Sequence, residues 1–144
     1  MRILGIDYGD ARTGIAITDA LNITAQGLET IHNNGSDKML LKRLDEIFEQ
    51  YEVDTIVIGK PINMNGTSSE RTEITEKFIH KLKCKYNKLK IETIDERLTT
   101  VAAHKTMNFL DVGKNKKRKI VDTISAVYIL ETYLNKSKNA LQKN

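Results

Sequence analysis

Apolar residues in this chain recur in two rhythms. Near the start the runs are short and dense. Arg2-Ile3-Leu4-Gly5-Ile6 and Gly14-Ile15-Ala16-Ile17-Thr18 read as strands, joined by the polar turn Tyr8-Gly9-Asp10-Ala11-Arg12-Thr13. Ala25 to Ile31 is a third strand, bounded by His32-Asn33-Asn34-Gly35. Three strands joined by short turns are expected to be antiparallel neighbours. The rhythm then changes. Ser36 looks like a helix cap, and Leu40, Leu44, Ile47, Phe48 and Tyr51 follow at helical spacing. Asp54-Thr-Ile-Val-Ile-Gly59 is a β-branched fourth strand.

Beyond it lies the loop Lys60 to Gly66, which holds the only proline, Pro61. Thr67-Ser-Ser-Glu70 is a capping box, and Ile74, Phe78, Ile79 and Leu82 stripe the helix after it. The lysines of that helix and its exit read better as a solvated face than as a binding surface. Lys90-Ile-Glu-Thr-Ile94 is the fifth strand, with Asp95-Glu96-Arg97 at its carboxyl end. Thr99 or Thr100 caps a further helix, Val101 to about Phe109. Leu110 to Lys119 reads as a basic loop, Ile120 to Leu134 as a buried apolar helix, and Asn135 to Asn144 as a frayed polar end. The order β-β-β-α-β-α-β-α-α predicts an α/β fold: a mixed five-stranded sheet, three antiparallel strands then two parallel, with helices on both faces.

Composition narrows the class. A length of 144 residues suits one domain, and a net charge of +4 favours an anionic partner. Cys84 is the only cysteine and the three histidines lack ligand spacing, which removes disulfides and makes a zinc site unattractive. No apolar run approaches the ~20 residues that span a bilayer, so the expectation is a soluble cytoplasmic protein without a membrane partner.

Three acids stand out by position. Asp7 ends the first strand, Glu96 ends the fifth, and Asp122 falls in the first turn of the apolar last helix. A strand-end aspartate is costly unless something stabilises it: a metal ion, or its own hairpin backbone. Alone, Asp122 could serve the helix dipole and Glu96 a salt bridge with Arg97. With the first strand central, however, all three converge on the carboxyl edge of the parallel strands. Clustered carboxylates repel unless protonated or bound to cations, and all-oxygen ligation selects Mg²⁺ or Mn²⁺. Two such ions would support phosphodiester hydrolysis. Candidate contacts to nucleic acid surround this edge. Gly9 and Arg12 lie in the first turn, and Lys60, Asn63 and Arg71 near the proline loop. Arg97 follows Glu96, and Lys117, Arg118 and Lys119 precede Asp122.

The stretches GIDYGDARTGIAITD, GKPINMNGTSSER, IDERLTT and KKRKIVDTISAVYIL together resemble the YqgF/RuvX family, in order and spacing over nearly the whole chain. The resemblance implies an RNase H-like fold and a metal-dependent nuclease. The substrate it implies is precursor 16S rRNA, processed at its 5′ end, with Holliday junction resolution suggested for relatives. It assigns the metal-binding acids to Asp7, Glu96 and Asp122. A single nuclease domain over 1–136 and a flexible tail over 137–144 are expected, as monomer or homodimer. Two departures stand: Lys60 replaces the usual apolar residue before the proline, and Ser125 stands where RuvC-type resolvases carry a second acid. Three alternatives remain: cleavage of branched DNA, a non-catalytic RNA-binding assembly factor, and the phosphate loop of sugar kinases and actin-like ATPases, suggested by Asp7-x-Gly9. The last needs two such domains.

Overall fold

A computed structural model describes residues 1–9, 11–60, 70–95 and 116–142; for 70–71, 116–122 and 138–142 it describes the backbone alone. The elements are β1 (Arg2–Asp7), β2 (Thr13–Thr18), β3 (Ala25–Ile31), α1 (Asp37–Gln50), β4 (Val53–Lys60), α2 (Glu70–Lys85), β5 (Lys90–Asp95) and α3 (Lys116–Gln142). The strands form one sheet in the order β3-β2-β1-β4-β5. β1 pairs antiparallel with β2, β2 antiparallel with β3, and β4 runs parallel to both β1 and β5. The expected mixed sheet with a central first strand is therefore what the chain forms. The helix expected over Val101 to Phe109 lies outside the described residues.

Alternation along β1 divides the core. Leu4, Ile6 and Tyr8 join Leu40, Leu44 and Ile47 of α1 and Phe78, Ile79 and Leu82 of α2 in one cluster. Ile3 faces the other way, into a cluster with Val57, Ile94, Ala126, Ile129 and Leu130 under α3. α1 begins as its sequence indicates: the Ser36 side chain accepts a hydrogen bond from the Met39 backbone N–H. The lysines of α2 reach back to α1, Lys81 to Asp37 and Lys85 to Asp45, at 2.8 Å each. They form the charged outer face of the helix pair rather than a free basic surface.

α3 departs from the expected bounds at both ends. It starts at Lys116, inside the supposed basic loop, and runs through the supposed frayed end to Gln142. The physical reason is composition: Lys, Arg, Ala and Gln are good helix formers, and no Gly or Pro interrupts the segment. Asp122 is thus the seventh helical residue, counted from Lys116, and lies beyond the first turn. A macrodipole explanation for Asp122 weakens accordingly, because that effect fades after the first turn. Lys117, Arg118 and Lys119 are likewise helical, and consecutive helical residues fan apart by about 100° rather than forming one stripe.

α3 crosses the sheet on a row of small residues. Gly5 pairs with Ala16, and Ala16 with Gly27. A Cβ on Gly5 would meet Leu130 Cγ at 2.5 Å and the Ala126 carbonyl oxygen at 3.0 Å, and one on Gly27 would meet Thr123 Cβ at 3.0 Å. The helix backbone is therefore as close to β1 as an α-carbon without a side chain allows. Gly5→Ala should cost about 1–3 kcal/mol by overpacking, and Gly27→Ala less, since only the Thr123 side chain must yield. Urea unfolding of both variants against wild type measures the order.

Candidate active site at the carboxyl edge

Asp7 is the last residue of β1 and is only 4% exposed. The alternation that turns Leu4, Ile6 and Tyr8 towards α1 and α2 puts Asp7, with Ile3 and Gly5, on the α3 side of the sheet. It pairs with Gly14 on β2. A buried carboxylate at the open end of a central strand, on the side of the sheet that a helix packs against, is the feature the sequence singled out.

The segment leaving Asp7 is fastened firmly. The Tyr8 ring stacks on Phe78, centroids 4.3 Å apart and planes 5° from parallel. The Tyr8 hydroxyl donates to Asp37 Oδ1 at 2.5 Å, and Asp37 also receives Lys81 Nζ at 2.8 Å. Gly9 accepts a hydrogen bond from Asn33 Nδ2 at 3.0 Å, and Thr13 Oγ1 donates to Asn33 Oδ1 at 3.1 Å. Thr13 and Asn33 are both fully buried. A Cβ at Gly9 would stand 2.2 Å from the Arg12 carbonyl oxygen. Glycine is thus demanded by the folding of the turn on itself, a reason separate from any approach of phosphate.

The other predicted residues distribute as follows. Arg12 is half-buried in the same turn. Lys60 ends β4 and pairs in register with Asp95, the last residue of β5. Its ammonium is engaged by Glu76 of α2 at 2.9 Å. It therefore points to the α2 side of the sheet, away from the face that carries Asp7, because strand alternation sends Lys60 opposite to Val57. Arg71 lies in α2, and Lys117, Arg118, Lys119 and Asp122 in α3, as backbone positions. Asn63, Glu96 and Arg97 lie outside the described residues. Among the described residues no three acids, histidines or cysteines gather into a metal site. Glu96 and the side chain of Asp122 lie outside the described residues.

The donors that are described suit a hard cation. Asp7 supplies a buried carboxylate. Ser125 is fully buried on α3, and its hydroxyl has no hydrogen-bond partner among the described residues. An all-oxygen set of this kind fits Mg²⁺ or Mn²⁺ and not a thiolate- or imidazole-bound metal. A groove of about 560 Å³ lined by Asp37, Ile74, Lys77 and His80 opens on the α1 and α2 side. It lies across the sheet from Asp7 and does not serve this edge. Among the described residues no helix is long and apolar enough to cross a membrane.

Solved structures with this arrangement of strands and helices define the class. Thermus thermophilus RuvC in complex with a Holliday junction substrate superimposes with a TM-score of 0.55 at 10% identity, over 92% of each chain. The fowlpox virus Holliday junction resolvase gives 0.53 at 18% identity, over 94% of this chain and 99% of that one. The fold is RNase H-like, of the RuvC type. The chain belongs to the RuvX family, described as "Holliday junction resolvase", whose model matches residues 1–136. A relative from Ruminiclostridium cellulolyticum named "Putative pre-16S rRNA nuclease" is 56% identical, over 94% of this chain and 95% of its own. One of the same name from Acetivibrio thermocellus is 48% identical, over 98% of this chain and the whole of its own.

Because the Gly9 turn leaves no room for a Cβ against its own carbonyl, Gly9→Ala should reopen it. The expected loss is about 1–3 kcal/mol of stability, with Tyr8 fluorescence altered because its stacking on Phe78 depends on the same segment. Urea unfolding followed by tyrosine emission checks both.

Proposed function

We propose that this chain is a divalent-metal-dependent endonuclease acting on structured nucleic acid, with the 5′ region of precursor 16S rRNA as its substrate. The observation that carries the reading is the buried Asp7 carboxylate at the carboxyl end of the central strand, on the side of the sheet that α3 packs against. The family and the relatives' names support nuclease chemistry. The proposed domain is residues 1–136, the span of the family match.

Asp7, Glu96 and Asp122 are the proposed metal ligands. Asp122 occupies the helical position one turn before Ala126, whose carbonyl lies against Gly5. The four residues from Asp122 to Ala126 span about 6 Å, and Asp7 is two strand residues, about 6.6 Å, beyond Gly5. Ile94 is on the α3 side, and Glu96 is two positions further along the chain, the spacing that returns to one face in an extended strand. When bound, Mg²⁺ or Mn²⁺ would supply an acidified water and charge stabilisation at the leaving oxygen, as two ions in the two-metal form of this chemistry. Asp7 would anchor the metal from a rigid strand end. The Gly9 turn, Arg12 and the basic residues Lys117, Arg118 and Lys119 would hold the phosphate backbone. Asn63, Arg71 and Arg97 are proposed as further contacts.

A side-by-side assay offers precursor rRNA and a four-way DNA junction, with Mg²⁺ or Mn²⁺, to wild type and Asp7→Asn. Cleavage of the RNA, reduced about 10³-fold or more in the variant with folding intact, is the expected result; such a factor corresponds to about 4 kcal/mol at the barrier. Equal cleavage by both proteins, with contaminating nuclease excluded, overturns it. The family's description favours a second reading, resolution of branched DNA. That reading requires paired, symmetric cuts by a two-fold dimer.

Lys60 gives an independent check on binding. Glu76→Gln removes its partner without touching the sheet. If Lys60 contacts phosphate, affinity should rise about two- to five-fold, within the range of an exposed ion pair. The slope of log K against log salt should steepen by about one. Fluorescence anisotropy across a salt series measures both, and an unchanged slope removes Lys60 from the interface.

A further inference from the structure

Gly9 is held at both of its backbone polar groups by one closed ring of hydrogen bonds. Its N–H donates to Thr13 Oγ1 at 3.4 Å, Thr13 Oγ1 donates to Asn33 Oδ1 at 3.1 Å, and Asn33 Nδ2 returns to the Gly9 carbonyl at 3.0 Å. The ring is dry: Thr13 and Asn33 have no exposed surface. It also joins segments distant in the chain, since Asn33 lies 24 residues from Gly9. The neighbouring backbone repeats the attachment, with the Asn34 N–H donating to the Ala11 carbonyl at 3.0 Å and the Ser36 N–H to the Asn33 carbonyl at 2.7 Å. The β3–α1 connection that makes these bonds is itself unusual. Asn34 has φ 48° and Gly35 φ 79°, both in the left-handed region. Asn34 is a non-glycine residue in that region, just where Asn33 is delivered inward.

We propose that Asn33, acting with Thr13, is a positioning residue for the Asp7 site: it fixes the turn that leaves Asp7 and so sets where the carboxylate and the adjoining backbone stand. The inference rests on the nuclease reading for its cleavage arm but not for its metal-binding arm. Burying an amide and a hydroxyl costs free energy unless every group is paired. The ring uses the Asn33 amide on the Gly9 carbonyl and the Thr13 hydroxyl on the Gly9 N–H, two residues from the buried acid. Groups that orient a metal ligand in this way typically change metal affinity or activity by about 10–100-fold when removed.

The test uses the full chain and four variants: Asn33→Ala, Thr13→Val, Thr13→Ser and Asp7→Asn. Thr13→Val keeps the shape and removes the hydroxyl, while Thr13→Ser keeps the hydroxyl. Mn²⁺ affinity is read by electron paramagnetic resonance of the free ion, cleavage of precursor rRNA by kcat and KM, and folding by thermal unfolding. Expected are about 10–100-fold weaker Mn²⁺ binding and lower kcat for Asn33→Ala and Thr13→Val, with KM for the RNA unchanged. Thr13→Ser should behave as wild type, and the double variant Thr13→Val/Asn33→Ala should be little worse than either single one, because both open the same ring. Should Asn33→Ala fail to fold, the Thr13 pair decides alone. Variants that melt earlier yet keep wild-type Mn²⁺ affinity and kcat overturn the proposal and leave the nuclease reading standing. A wild type that binds Mn²⁺ but cuts nothing overturns the nuclease reading, and weakened Mn²⁺ binding in the variants then still sustains the positioning role. A wild type that neither binds Mn²⁺ nor cuts overturns both.

Discussion

The close seating of α3 on β1 is the constraint on which the rest of the molecule depends. A helix normally rides about 10 Å above a sheet on a layer of side chains. Here Gly5, Ala16 and Gly27 remove that layer along one row, and the Ala126 carbonyl and Leu130 descend into the space. The seating is held by shape and by burial of Ile129, Leu130 and Leu134. Its consequence for function is geometric. The helix backbone itself, rather than a layer of side chains, meets the face of β1 towards which strand alternation turns Asp7.

On the opposite face the same strand is fixed differently. Tyr8 stacks on Phe78 and bonds to Asp37, while Gly9 closes on Thr13 and Asn33. β1 is thus seated by apolar shape on the α3 side and by directional polar bonds on the other, and Asp7 lies at the junction of the two. The division suits each task. Shape complementarity sets how near a helix comes but tolerates sliding along the groove. Hydrogen bonds tolerate little displacement along the strand, and they hold the turn that a substrate phosphate would meet. A site that must place oxygen donors to within a fraction of an ångström needs both.

Much of this was visible in the residue pattern, and the exceptions have physical causes. The five strands, their order and the Ser36 cap are local features, written in alternation and capping chemistry over a few residues. The ends of α3 were not, because lysines, asparagines and glutamines carry almost no signal that distinguishes an exposed helix from a tail. Lys60 read as a candidate phosphate contact beside a proline loop. Its partner Glu76 is one helix away, and nothing in either segment announces the pair. Asn33 was hidden more deeply. In His32-Asn33-Asn34-Gly35 an asparagine is an ordinary turn signal, and no short-range pattern shows that its amide reaches back across two strands. Asp7 was legible because an acid at the end of an apolar strand is itself an anomaly, whereas Asn33 conforms to local rules and acts only through the tertiary fold.

Ser125 shows how far the acid pattern constrains the chemistry. Its hydroxyl is buried without a partner among the described residues, on the face of α3 that meets the sheet, three residues after Asp122. An unpaired buried hydroxyl costs about 1–3 kcal/mol, and an alanine there would remove that cost while fitting the same small-residue interface. A carboxylate at that position would cost far more without a cation, but would raise the negative charge available to bind one. The serine stands between these extremes: polar enough to accept or donate to a hydrated ion, neutral enough to leave the fold stable when the ion is gone. With three carboxylates instead of four around the proposed site, repulsion among them falls, and so does the affinity for a second cation.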